Sequence, residues 1–150
     1  METHGVLILS AVGFCLFLRV QGLQCPQSFV LHGKSCYWFS PTTGTYEAAR
    51  SKCKLLGGDL AKITSKEEHD FIRNTAKAGF YFVGATDLRL GGKWAWEGEA
   101  TEIAYSDWAS GQPNSASEHC MDLMKRFHYQ MNDAPCGANI NFICEQTAKC

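Results

Sequence analysis

The chain has 150 residues, of which 45% are hydrophobic and 12% aromatic, enough for one domain with a buried core. Its formal net charge is only −1, with 14 basic and 15 acidic residues spread along the chain. It therefore lacks the basic stripe of a nucleic-acid-binding protein and the polybasic patch of a membrane-surface protein, and we expect neither nucleic acid nor membrane as a partner.

The first 23 residues have the pattern of a signal peptide. Residues 6–18 are almost wholly apolar but too few to cross a bilayer, and Val20 and Gly22 favour cleavage near residues 22–24. The extreme N-terminus departs from the pattern because it has Glu2 and no Lys or Arg, so a retained hydrophobic anchor is the alternative. We predict a secreted, extracellular protein with a single domain over residues 24–150.

Eight cysteines in so short a chain favour an oxidising compartment. Cys15 would leave with the signal peptide, and the odd number that remains allows three disulfides and one further thiol. We expect this thiol to be Cys150, either free or in an interchain disulfide that would make a homodimer. Spacing alone does not select which cysteines pair.

The N-terminal part of the domain predicts a hairpin followed by a helix. Apolar runs on both sides of a Gly-containing turn favour a hairpin whose base Cys25 and Cys36 could staple. A helix should begin after Thr45 as N-cap and end at the glycines of residues 57–58. The helical spacing of its apolar residues places Cys53 on the inward face.

A second helix is predicted after a short strand over residues 59–63. Ser65 and Glu68 have the spacing of a capping box, and the helix should end near Lys77. His69 lies in this helix without a second metal ligand at useful spacing. We interpret it as an exposed helix histidine and assign it no function.

The rest of the chain predicts short strands around one long ordered loop. Residues 97–112 lack periodicity and are rich in Gly, Ser and acidic residues, and long loops in compact domains commonly bind a ligand. Strands are predicted at residues 80–83, 94–96, 121–124 and 141–145, and a turn at residues 132–133. Helices first and strands afterwards favour an α+β fold.

Five oxygen-bearing side chains lie at the end of this loop and shortly after it: Gln112, Asn114, Glu118, Asn132 and Asp133. Oxygen ligands without histidine or thiolate suit calcium better than zinc or copper. A crosslink between Cys120 and Cys136 would close a ring around the last two of them and hold them in place. Each residue taken singly is also common in turns for backbone reasons, and the constellation is what favours a calcium site.

A series of ordered segments accompanies the cysteines along the chain: Cys36-Tyr37-Trp38, Gly58-Asp59-Leu60-Ala61, Phe82-Val83-Gly84-Ala85, Trp94-Ala95-Trp96, Gln112-Pro113-Asn114, Asn132-Asp133 and Phe142-Ile143-Cys144. Together they resemble the C-type lectin-like domain family over residues 25–145. The resemblance implies an α+β fold with two helices, short antiparallel sheets and a long ordered loop region. It also implies the disulfide pairs Cys25–Cys36, Cys53–Cys144 and Cys120–Cys136.

The resemblance further implies a site in which calcium and the protein together bind a sugar. The five oxygen-bearing side chains would hold the metal and hydrogen-bond to two neighbouring sugar hydroxyls, and the bond before Pro113 would be cis. The family's mannose-type sites have Glu-Pro-Asn and its galactose-type sites Gln-Pro-Asp, whereas this chain has the hybrid Gln-Pro-Asn. The hybrid leaves two carboxylates, Glu118 and Asp133, where either standard motif supplies three, so calcium should bind more weakly and either sugar type is possible.

We therefore predict a calcium-dependent lectin. The alternative is a structural or mineral-interacting matrix protein on the same scaffold, with weak or no sugar binding. A secreted hydrolase finds no support, because the chain has no nucleophile elbow, no Cys and His pair beyond the disulfide set and no zinc motif. A second calcium site of the family should be lost, since Asp87 remains while Gly91, Ser115 and His119 stand where acids are needed.

Overall fold

The computed structural model describes residues 22–150, which form two short helices and a mixed eight-stranded sheet. The helices are α1 (Tyr46–Leu55) and α2 (Lys66–Thr75). The strands are β1 (Val30–His32), β2 (Ser35–Phe39), β3 (Asp59–Leu60), β4 (Phe80–Leu90), β5 (Lys93–Trp96), β6 (Cys120–Met124), β7 (Gln130–Ala134) and β8 (Asn141–Thr147). The predicted signal peptide lies almost wholly outside the described residues. No helix within them has the length and apolarity needed to cross a bilayer.

The sheet runs in the order β1-β2-β8-β4-β6-β7, with β3 paired to β8 and β5 paired to β4. Within the described part of the chain, every pair of strands is antiparallel except β4 and β8, which run parallel at Tyr81–Asn141 and Phe82–Phe142. The final strand therefore lies in the middle of the sheet, between the N-terminal hairpin and the strands that flank the long loop. The expectation of an α+β fold with two helices is confirmed, and the expected short antiparallel sheets are one mixed sheet because of this parallel pair.

Helix α1 follows the sequence prediction closely. The Thr45 hydroxyl accepts a hydrogen bond from the backbone N–H of Ala48 at 3.3 Å, which satisfies one of the free donors at the start of the helix. Cys53 is fully buried on the inward face and is bonded to Cys144 in β8. The helix is thus covalently attached to the central strand of the sheet.

Helix α2 begins as predicted and ends slightly early. Ser65 caps it by accepting from the backbone N–H of Glu68 at 3.2 Å, and the last helical residue is Thr75. The strand before it is shorter than the predicted one, because only residues 59–60 pair with β8. Ala61 instead donates its N–H to the Ile143 carbonyl outside the regular ladder.

Two glycines of the ordered segments permit close packing around the middle of the sheet. A Cβ on Gly84 would lie 2.8 Å from the carbonyl oxygen of Leu60, and one on Gly58 would overlap the carbonyl of Glu145. Both positions therefore need a residue without a side chain. These contacts explain in physical terms why glycine follows Phe82-Val83 and precedes Asp59-Leu60.

The three predicted disulfides are confirmed: Cys25–Cys36 at the hairpin, Cys53–Cys144 between α1 and β8, and Cys120–Cys136 beside the end of the long loop. Cys150 is disulfide-bonded as well. The expectation of a free thiol at Cys150 is therefore wrong, and dimerisation through this residue stays a prediction.

Candidate functional site

A long loop of residues 97–119 connects β5 to β6 and contains neither helix nor strand, so the predicted loop over residues 97–112 is confirmed and extends further than predicted. We call residues 101–109 the loop base and residues 111–118 the loop tip. The loop base packs against α2 and β7. The loop tip holds three of the five predicted ligands, and β7 holds the other two.

The loop base is attached to α2 through a fully buried histidine. Nδ1 of His69 lies 3.1 Å from the hydroxyl of Tyr105, and Nε2 lies 2.7 Å from the carbonyl oxygen of Tyr129. Because a carbonyl only accepts, Nε2 carries the proton, and Nδ1 accepts from the tyrosine hydroxyl. Burial lowers the pKa of His69, which keeps the imidazole neutral.

The prediction of an exposed helix histidine is wrong, since His69 has no solvent exposure. The reason is geometric: His69 and Ile72 are three residues apart and share the inward face of α2, and Ile72 is also fully buried. The polar ring is tolerated there because both of its nitrogens have partners. Its spacing from Ile72 was the signal that the sequence offered.

A charged group provides the second attachment of the loop base. Arg73 of α2 donates to the carboxylate of Asp107, which also accepts from Nε2 of Gln130 at 2.9 Å. Burial opposes ionisation of Asp107, but the hydrogen bonds from Gln130 and Arg73 outweigh it and lower the pKa of the carboxyl. The backbone carbonyl of Asp107 accepts from the N–H of Met131 at 2.9 Å. The loop base is therefore fixed to both α2 and β7.

The loop tip is held mainly by one carboxylate from β7. Asp133 is 1% exposed, and its Oδ2 accepts from the backbone N–H groups of Asn114 at 3.1 Å and Ser115 at 2.8 Å. Oδ1 of Asp133 and Oε1 of Gln112 are buried without a hydrogen-bond partner among the described residues. The Gln112–Pro113 bond is cis, as expected. Buried acceptors without donors are costly, and a cation would satisfy both of them.

Asn132 and Asp133 lie in strand β7, so the prediction of a turn at these residues is wrong. Asn and Asp favour turns locally, but here Asn132 is paired with Asp122 and Asp133 with Met121 in the ladder with β6. Cross-strand pairing and burial override the local preference. Both side chains are thereby fixed on a regular element beneath the loop tip.

A sixth polar side chain, Asp122 in β6, belongs to this group and was missed from the sequence. The side-chain nitrogen of Asn132 donates to Oδ1 of Asp122 at 2.8 Å and to the backbone carbonyl of Asp133 at 2.7 Å. Asp122 is 2% exposed, and burial, with a smaller effect from the charges of Glu118 and Asp133, raises its pKa to about 7. The only hint in the sequence was a single acid within the apolar run Cys-Met-Asp-Leu-Met.

Glu118 completes a group of three carboxylates with Asp122 and Asp133. Burial and the charge of Asp133 raise the pKa of Glu118. None of the three makes an ion pair with Lys, Arg or His within residues 22–150. In the same residues no three His, Cys, Asp or Glu side chains come together as a metal-binding group. A calcium shell here would therefore depend on the amide oxygens of Gln112 and the two asparagines as well as on carboxylates.

Beside this group, His119 and Asp87 form a direct contact. Nδ1 of His119 lies 2.8 Å from Oδ1 of Asp87, and the backbone N–H of Asp87 donates to the His119 carbonyl at 3.3 Å. These two residues lie where the family resemblance would put a second calcium ion. The loss of that second site stays a prediction.

Comparison with known proteins gives consistent matches. Residues 42–146 match the family described as the lectin C-type domain. Perlucin from Haliotis laevigata is 39% identical over 129 residues, covering 81% of this chain and 83% of that protein. The type-2 ice-structuring protein of Brachyopsis segaliensis is 31% identical over 134 residues, covering 89% and 79% of the two chains.

Solved structures resemble this fold over nearly their full length. The C-type carbohydrate-recognition domain of cow CD23, in the presence of a GlcNAc2Man3 oligosaccharide, has a TM-score of 0.78 at 31% identity, covering 86% of this chain and 100% of that chain. A calcium-independent type II antifreeze protein also has a TM-score of 0.78, at 32% identity, covering 86% and 98%. The motif-based resemblance is thus confirmed by both sequence and fold.

Proposed function

Because the chain belongs to the C-type lectin domain family, we propose that it is a secreted protein that binds carbohydrate in a calcium-dependent manner. The observation that carries the proposal is the pair of buried acceptor oxygens, Gln112 Oε1 and Asp133 Oδ1, that have no partner in the described residues. The neighbouring carboxylates Glu118 and Asp122 make no ion pair with Lys, Arg or His within residues 22–150. A divalent cation would satisfy the oxygens and offset the repulsion, and an all-oxygen set favours calcium.

Five side chains would hold the metal: Gln112, Asn114, Glu118, Asn132 and Asp133. When bound, calcium would supply a centre that coordinates two neighbouring sugar hydroxyls. The Glu118 carboxylate would accept a hydrogen bond from a sugar hydroxyl, and the amide nitrogen of Gln112 would donate one to a hydroxyl oxygen. This is recognition without catalysis, and we assign no catalytic residue.

The relatives support the carbohydrate partner and leave its type open. The CD23 domain was solved in the presence of a mannose-containing oligosaccharide, which fits a mannose-type ligand. The hybrid Gln-Pro-Asn motif combines the first residue of galactose-type sites with the last residue of mannose-type sites. We therefore propose both mannose-type and galactose-type glycans as candidates. Secretion is supported by the leader pattern and by the three disulfides.

Calcium titration and a glycan array test this proposal together. The secreted protein, stripped with chelator, should bind calcium in isothermal titration and should retain glycans only when calcium is present. Asp133→Asn should abolish both effects, while an oxygen remains to accept from the N–H groups of Asn114 and Ser115. The matched control is Glu102→Gln, which changes an exposed acid of the same loop and should leave both unchanged. A wild-type protein that binds no calcium overturns the proposal.

A structural or mineral-interacting role is the second candidate. It is favoured by relatives named as ice-structuring proteins and by the similarity to an antifreeze structure described as calcium-independent. The two amides of Gln-Pro-Asn also fit a site with reduced need for calcium. This candidate would be favoured if the protein melts cooperatively, and is therefore folded, but retains no glycan at saturating calcium.

A further inference from the structure

We propose that Asp122 is a positioning residue of the candidate site, which fixes the amide of Asn132 and supplies the third negative charge that the Gln-Pro-Asn motif lacks. This inference rests on the proposed calcium-dependent function. It assigns no contact between Asp122 and the ion. Asp122 would act through Asn132, which it faces across the β6–β7 ladder.

The orientation of the Asn132 amide follows from its two partners. Its side-chain nitrogen lies 2.8 Å from the Asp122 carboxylate and 2.7 Å from the Asp133 carbonyl. Both partners are acceptors, so the nitrogen must face them and both of its hydrogens are used. The oxygen is then the only polar atom of this amide that remains for a ligand. Asn132 is therefore prepared to contact a cation, and it has no hydrogen left for a sugar hydroxyl.

The charge of Asp122 is poorly suited to a purely structural role. Its strand neighbours Met121 and Leu123 are fully buried, and Asp122 itself is 2% exposed. A buried carboxylate without a counter-ion is costly, and an apolar residue at this position would stabilise the apo fold better. Asp122 also repels Glu118 and Asp133. The hydrogen bond from Asn132 offsets part of these costs, and a cation bound close by would offset more.

Asp122 also accounts for the charge that the loop tip lacks. The tip and β7 offer two carboxylates, Glu118 and Asp133, and Asp122, which contacts Asn132, is a third. Acids behind a metal ligand orient it and increase the negative charge on its coordinating atom, and their removal typically costs metal affinity. Through the hydrogen bond to Asn132, the buried acid would strengthen an amide oxygen that is otherwise a weak ligand.

Two substitutions separate the charge of Asp122 from its hydrogen bond. Asp122→Asn keeps an acceptor for Asn132 and removes the charge, and calcium affinity should fall about tenfold in titration calorimetry. The melting temperature of this variant in chelator should equal or exceed that of the wild type, because a repulsion has been removed. Adding Asn114→Asp restores the number of charges and should recover most of the affinity. A merely structural role would lower the apo melting temperature and would not be rescued in this way.

The matched control is Asp87→Asn, which removes a nearby acid that contacts His119 and none of the five proposed ligands. It should change calcium affinity far less than Asp122→Asn does. The position of the amide is tested without metal by NMR: both side-chain amide protons of Asn132 should exchange slowly in the wild type, and one should exchange fast in Asp122→Ala.

Unchanged calcium affinity in Asp122→Asn, or fast exchange of both amide protons in the wild type, overturns the inference while the proposed function stands. Failure of the wild type to bind calcium overturns the proposed function. The amide exchange then still reports whether Asp122 fixes Asn132.

Discussion

The base and the tip of the long loop are held in different ways. The base has partners for its polar groups within the chain, through His69, Tyr105 and the contact between Arg73 and Asp107. The tip depends chiefly on the Asp133 carboxylate. Of the three buried side-chain atoms without a partner in residues 22–150, two belong to the tip side and none to the base. The base therefore has its buried polar atoms satisfied, whereas the tip side has two buried acceptor oxygens that no group within residues 22–150 satisfies.

The largest effect should come from removing the histidine that attaches the base. His69→Ala leaves a cavity in the core, removes the donor to the buried Tyr129 carbonyl and removes the partner of the half-buried Tyr105 hydroxyl, so the free energy of unfolding should fall by about 2–4 kcal/mol. Urea unfolding in chelator measures this loss. If the two parts of the loop are independent, calcium affinity measured below the unfolding transition should change by less than about twofold.

Asn74→Ala is the control for this substitution, because Asn74 lies on the exposed face of the same helix. It should change the free energy of unfolding by less than about 0.5 kcal/mol. If His69→Ala instead lost as much free energy of calcium binding as free energy of unfolding, base and tip would form one unit. The distinction between them would then be wrong.

Sequence reasoning worked where the controlling interaction is local. The caps at Thr45 and Ser65 lie three residues before the N–H groups that they bind, so both helices could be placed from short patterns. The hairpin between Cys25 and Cys36 is likewise local. The disulfide pairs and the cis bond at Pro113 came from the family resemblance, because spacing alone allows several pairings.

The misses at His69 and Asp122 share one physical cause, which is contact with residues from other segments of the chain. His69 is buried because Tyr105 and Tyr129 approach it from other segments. The role of Asp122 could not be predicted until the pairing of β6 with β7 was known, because that pairing places Asn132, ten residues later in the chain, opposite it. Local sequence preference indicates which residue types are common in turns and on surfaces. Which of those residues are buried depends on strand pairing and on the packing of the loop.

A smaller effect is expected from pH. Burial lowers the pKa of His69 in the folded protein, while the unfolded chain keeps a value near 6.5, so the unfolded state binds more protons below that pH. The contribution of His69 to stability is therefore complete above about pH 6.5 and is lost as the pH falls below it. We expect the free energy of unfolding of the wild type to fall between pH 7 and pH 5 relative to that of His69→Gln.

The comparison with His69→Gln is needed because Glu68 acts in the opposite direction. Burial and the charge of Glu145 raise the pKa of Glu68 to about 7, so its titration lowers stability as the pH rises from about 4.5 to 7. Glu68 is present in both proteins, and subtracting the two urea-unfolding series isolates His69. If the free energies of unfolding of the two proteins changed equally with pH, His69 would not be a neutral buried imidazole.

The smallest effect should follow from weakening the charged attachment of the base. Arg73→Gln removes the donors to Asp107 and Asp70, whose side chains are 34% and 41% exposed, so the free energy of unfolding should fall by only about 0.5–1 kcal/mol. Solvent and salt screen such contacts, and the difference between variant and wild type should shrink in 1 M salt. Calcium affinity should stay within about twofold of the wild type, because Gln130 and Tyr105 still hold the base. If the free energy of calcium binding changed more than the free energy of unfolding, Arg73 would act on the tip through β7. The boundary between base and tip would then lie closer to residue 107.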